Sequence, residues 1–198
     1  MPPILHLADL PLEGFQQGTR YQSRDTSMTE RLGLTKLGIS YSEVPPGKSG
    51  CPFHNHLAED EIFVVLEGTG LYRFGADTHA IRAGDILGAP AGGAETAHQI
   101  HNTGDTPLRY LSLSNQAPAD VVEYPDSGKF LAKATDAAGR RFRFVGRPTS
   151  EVDYWDGEPG ASVAPALTRR PGRPIQSAVP SAAFEVAPWT RPPPSCPS

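Results

Sequence analysis

The chain has 198 residues, 38% of them hydrophobic and 20% charged, which is enough to bury a substantial core. Its 20 glycines and 21 prolines argue against a helical fold and for turn-rich β structure. A formal net charge of −4 leaves no broad basic surface for nucleic acid, and no run of eighteen apolar residues offers a membrane helix.

Residues 1–30 show little periodicity and read as an N-terminal arm. Met1 to Leu12 carries Asp9 and three prolines instead of a basic and then apolar leader, so a cytoplasmic location is expected. Strands are then predicted at Leu34 to Val44, 62–67, Leu71 to Phe74, Thr78 to Arg82, Asp85 to Ala89, His98 to Asn102 and Leu108 to Ser114. Turn residues punctuate the gaps: Pro45-Pro46-Gly47, Gly75-Ala76-Asp77, Ala83-Gly84-Asp85 and Thr103-Gly104-Asp105. Short strands at this interval predict a sandwich or barrel, here over residues 31–118 with no second copy. Residues 119–160 form an extension expected to pack on the barrel or on a partner. Within it, Arg140-Arg141-Phe142-Arg143-Phe144 reads as a strand with one charged face, and Tyr154-Trp155 as interface or core packing. From residue 161 nine of the 38 remaining residues are proline, which predicts a disordered tail.

The residues that carry chemistry lie within the predicted barrel. His54 and His56 are two apart and share a strand face. Glu61 lies five beyond His56, the wrong parity for an unbroken strand, so Leu57 to Asp60 must bend the chain before Glu61 can turn inward. The β-branched and aromatic run Ile62 to Leu66 follows, closed by Gly68 and Gly70. In the second half His98, Ile100 and Asn102 share one parity and Gln99 and His101 the other, so His98 faces the site and His101 does not.

Taken together, Gly47, His54, His56, Glu61 and Gly68, then Gly84, Pro90, Gly92, His98 and Asn102, resemble the two sequence motifs of the cupins. Six residues separate Gly47 from His54 where five are usual. Five separate Gly92 from His98 where two are usual, because Gly93 to Thr96 is inserted. The segments after the barrel also resemble small bacterial cupins, some of them named as sugar phosphate isomerases or polyketide-synthesis proteins. The resemblance implies an all-β, double-stranded β-helix (jelly-roll) barrel with N- and C-terminal extensions, a homodimer, and a metal held by His54, His56, Glu61 and His98.

Three imidazoles and one carboxylate suit a divalent transition ion such as zinc, iron, manganese, nickel, cobalt or copper; calcium and magnesium prefer more oxygen ligands. Such an ion acts as a Lewis acid, lowers the pKa of bound water or, if redox-active, binds dioxygen. The expected partner is a small-molecule substrate or ligand. A metal-dependent enzyme acting on a small oxygenated molecule is expected, with isomerisation ahead of dioxygenation or decarboxylation. The alternative is a non-catalytic small-ligand or sugar-binding protein. Near the motifs, His101, Glu95 and Glu59 are candidate proton-transfer groups, each more simply read as solvated or structural. Two cysteines make no disulfide framework, and Cys51 reads as a small buried residue in preference to a fifth ligand.

Overall fold

The computed structural model describes residues 3–160; the proline-rich stretch from 161 onward lies outside the described residues. Thirteen strands run in chain order: β1 (Glu13–Gln17), β2 (Tyr21–Ser27), β3 (Leu37–Val44), β4 (Asn55–His56), β5 (Glu61–Glu67), β6 (Thr69–Phe74), β7 (Asp77–Arg82), β8 (Ile86–Ala89), β9 (His98–Asn102), β10 (Leu108–Asn115), β11 (Ala119–Tyr124), β12 (Lys129–Thr135) and β13 (Arg141–Gly146). Each strand expected from 34 to 114 is present, with ends moved by up to three residues.

The strands make two facing layers of antiparallel pairs. One layer has the order β1-β2-β3-β10-β5-β8. The other is built from β13-β12-β11-β4 and β7-β6-β9, joined where His54 bridges His98. Alternation along β5 shows how the sequence drives this arrangement. Phe63 and Val65 turn inward and are buried, while Ile62 and Leu66 turn outward. The inward set from both layers forms one core: Val44, Phe63, Val65, Tyr72, Ile81, Leu87, Ile100, Leu108 and Tyr110 among them.

The connection from β5 to β6 depends on Gly68. Its φ is +88°, and a Cβ there would sit 2.7 Å from the carbonyl oxygen of Pro107, so both the turn and the close approach require glycine.

Within the N-terminal arm, Glu13–Gln17 and Tyr21–Ser27 form a hairpin, and β2 pairs with β3 from Arg24↔Glu43 to Ser27↔Ser40. Its buried positions are hydroxyl residues, Ser23 and Thr26, and Phe15 of β1 is exposed, so hydrophobic patterning carries little signal there. What orders this hairpin is backbone pairing to a sheet edge.

The segment after the barrel continues the second layer. β11 pairs with β4 through Val122↔His56 and Glu123↔Asn55, and β12 and β13 extend the sheet outward. Arg141–Gly146 is the strand expected there, but as the outermost one it leaves Phe142 and Phe144 exposed as well as its arginines. Tyr154 and Trp155 pack edge-on against each other, with ring centroids 4.9 Å apart, and are 83% and 56% exposed. They do not enter the core of this chain.

Candidate metal centre

His54, His56 and His98 lie on the second layer and Glu61 opens β5 on the first, so the site occupies the space between the layers. The predicted bend is present: Leu57 to Asp60 leaves the strand and is pinned on both sides. Ala58 N–H donates to Asp120 Oδ1 at 3.0 Å, and Asp60 N–H donates to Asn115 Oδ1 at 2.7 Å. Asp60 Oδ1 in turn accepts from Ala91 N–H, which ties the bend to the Pro90-Ala91-Gly92 turn. Glu61 thereby enters β5 pointing inward.

The inserted residues before His98 do not displace it. Ala94–Thr96 coil into one 3-10 turn, Glu95 accepts from Gly93 N–H, and the chain resumes at His98 in register with Phe74 and bridged to His54. A longer loop is absorbed outside the barrel.

All three imidazoles turn Nε2 towards one oxygen. Nε2 of His98, His56 and His54 lies 2.9, 3.4 and 3.8 Å from Glu61 Oε2. His54, Glu61 and His98 form a triplet whose ligand atoms are all within 4.8 Å of one another; His56 is outside that triplet and meets it through Glu61. Each Nδ1 faces a different acceptor: Pro52 O at 2.8 Å for His54, Asp120 Oδ2 at 2.6 Å for His56 and Thr96 O at 3.3 Å for His98. An imidazole that donates from Nδ1 keeps its Nε2 lone pair for a cation.

The electrostatics follow from burial. Desolvation, helped by charge on His98 and His56 and opposed by Glu61, pulls His54 down to about 4, so it is neutral at ordinary pH. Burial alone would push Glu61 up, but the His98 hydrogen bond and the surrounding imidazoles outweigh it and hold the carboxyl below its usual range. Neutral imidazole and ionised carboxylate are the forms that bind divalent ions.

The other sequence candidates do not face the oxygen on which the three Nε2 atoms converge. His101 Nδ1 meets Ser49 Oγ at 3.1 Å on the opposite face of β9, as its parity predicts. Glu95 belongs to the outer loop. Glu59 is buried, accepts from Ala117 N–H and pairs with Lys133 Nζ at 2.8 Å. Cys51 Sγ lies 3.9 Å from Nδ1 of His54, the nitrogen turned away from Glu61. Burial first, then the charges of Glu61 and Asp25, push its thiol up to about 12.

Two residues escaped the sequence reading. Asp120 of β11 orients His56, and Tyr124 of the same strand stacks on His54 with centroids 6.1 Å apart and 27° between planes. The available signal was alternation: Asp120, Val122 and Tyr124 share a face in a short β-rich run. Asp120 also belongs to a second acidic group with His56 and Glu59, but Lys133 Nζ lies 2.8 Å from Glu59 and 3.6 Å from Asp120. An ammonium already supplies the positive charge there.

Residues 40–114 match the Cupin domain family, in keeping with the two-layered β fold around the site. Among solved structures it is similar to a protein of Acidithiobacillus ferrooxidans provisionally named a sugar phosphate isomerase, at 27% identity and TM-score 0.62, over 72% of this chain and 91% of that one. Auxin-binding protein 1 of Arabidopsis thaliana is 29% identical over 134 residues, covering 64% of this chain and 65% of the relative. The oxalate-binding protein of Thermotoga maritima is 35% identical over 71 residues, 36% of this chain and 55% of its own length. The chain thus spans between about half and two thirds of the curated relatives it matches. No helix among the described residues is long and apolar enough to cross a membrane.

Proposed function

We propose that His54, His56, Glu61 and His98 hold a divalent transition metal, and that the protein is a metal-dependent enzyme acting on a small oxygenated molecule. One observation carries this reading: three Nε2 atoms converge on a single carboxylate oxygen while each partner Nδ1 faces its own acceptor. Three ring nitrogens gathered around one carboxylate oxygen form a common ligand set for a cation, which packing alone does not require. When bound, the ion supplies Lewis acidity to the oxygens of a substrate. The chain's own contribution is to orient that substrate between Glu61 and the ring of Tyr124 and to exclude water with Phe63 and Tyr72, whose rings lie 5.4 and 6.3 Å from His98. Isomerisation leads, in keeping with the name of the Acidithiobacillus relative, and dioxygenation or decarboxylation follows.

A second reading, a non-catalytic small-ligand binder, is favoured by one observation. His101 meets Ser49, Glu59 pairs with Lys133 and Glu95 accepts from Gly93 N–H, so each of these candidate proton-transfer groups is engaged by another group. The auxin- and oxalate-binding relatives agree with it.

Metal analysis of tag-free protein, followed by turnover of sugar phosphates, β-diketones and flavonols, separates the two. Turnover that disappears in His54→Ala establishes the enzyme. Saturable binding without turnover establishes the binder. Absence of a stoichiometric ion after incubation with each divalent metal overturns the shared premise.

A further inference from the structure

The sheet that carries His56 continues well beyond the histidines. His56 stands opposite Val122, Asp120 opposite Lys133, Lys133 opposite Arg143, and Tyr124 opposite Lys129. Directly opposed residues of an antiparallel pair share a face. Lys129, Lys133 and Arg143 therefore stand on the face that also bears His56, Asp120 and Tyr124. Glu123 alternates to the other face, so Asp120 is the sole acidic residue that β11, β12 and β13 place on this one.

The three cations have different employment. Lys133 is spent on Glu59 and Asp120. Lys129 is half-buried with Nζ 4.7 Å above the Tyr124 ring, and that ring stacks on His54. Arg143 is exposed, yet its charge reaches the same phenol and draws down a pKa that burial raises. Contacts thus lead from the histidine cluster through Tyr124 to Lys129, and Arg143 stands on the same face one strand further out, at the rim. The protein as a whole carries a formal charge of −4, so this rim is a local exception that would draw an anion towards the cluster.

We propose that this face is the anion-recognition wall of the site. A small substrate or ligand places a carboxylate or phosphate between Lys129 and Arg143, above Tyr124, while its remaining oxygens reach His54, Glu61 and His98. The proposal rests on the metal-site reading for the second contact and is independent of it for the first.

The test uses the full chain, loaded with manganese or metal-free, titrated calorimetrically with malonate, glycerol 3-phosphate and neutral glycerol. The expected result is that at least one anion binds more tightly than glycerol and loses about tenfold in affinity for each cation removed in Lys129→Gln and Lys129→Gln/Arg143→Gln. Preference for malonate marks a carboxylate ligand, and preference for glycerol 3-phosphate marks a phosphate ester. Anions that bind no better than glycerol, or equally well to the double variant, overturn the proposal. Should the variant not fold, the unaltered protein still decides. The Arg143 side-chain N–H resonance must move when either anion is added, and its failure to move refutes the wall. Manganese binding is measured separately. Failure to take up metal overturns the metal reading, while anion binding by the metal-free protein continues to test Lys129 and Arg143.

Discussion

Replacing Asp120 with asparagine probes the orientation of His56 with almost no change in volume. The Asp120 side chain is wholly buried; Oδ2 lies 2.6 Å from His56 Nδ1, and Oδ1 accepts from Ala58 N–H at 3.0 Å. An asparagine that keeps the Ala58 bond turns its NH2 towards His56. Nδ1 then becomes an acceptor, and the imidazole proton moves to Nε2, the atom 3.4 Å from Glu61 Oε2. The flipped amide keeps the His56 bond but sets its NH2 against Ala58 N–H, leaving a buried donor unpaired. Both arrangements weaken His56 as a ligand without touching the other three. Outer partners of ligating histidines are worth about 10- to 100-fold in metal affinity, or ~1.4–2.7 kcal/mol, and the buried, charge-assisted contact puts Asp120→Asn in that range. Zinc competition against a chromophoric chelator reads the affinity, and long-range proton–nitrogen NMR of the metal-free protein reads the tautomer. An affinity equal to that of the unaltered protein, with His56 still protonated on Nδ1, would refute the reasoning.

Stability of the metal-free protein should depend on His54. Its proton is taken up near the ordinary 6.5 when the chain is unfolded but only at about 4 in the fold. The unfolded state therefore binds more protons between those values, and stability falls as pH drops from about 6.5 to about 4, by ~3 kcal/mol in all. Urea unfolding in the presence of a chelator at several pH values checks this, and His54→Gln should flatten the slope. Gly68→Ala meets a φ of +88° and the Pro107 carbonyl at 2.7 Å. It should cost ~1–3 kcal/mol, read as a lower Tm by calorimetry. Cys51, its thiol pushed up to about 12 chiefly by burial, should resist iodoacetamide at mildly alkaline pH until the protein is unfolded, as peptide mapping would show.

Much of the architecture was legible because patterning and chemistry coincide in the central segment. β5 announces itself by Phe63 and Val65 alternating with Ile62 and Val64, and the parity of β9 separates His98 from His101 as found. The N-terminal hairpin was not legible, since Ser23 and Thr26 bury hydroxyls and the strand is held by its edge. Tyr154 and Trp155 were equally ambiguous, because large rings signal burial without saying against what.

The linear order of residues decided that three imidazoles and a carboxylate face inward, since side-chain alternation is a local property of a strand. It also decided that four residues must bend the chain before Glu61, a matter of parity alone. What only the folded chain could decide is how these groups are held. The carboxylate that orients His56 lies 64 residues away, and the ring over His54 lies 70 away on the same strand, brought there by pairing of β11 with β4. The reach of a side chain is a few ångströms, so such partners are chosen by which strands become neighbours, and strand neighbours are set by the closure of the whole barrel.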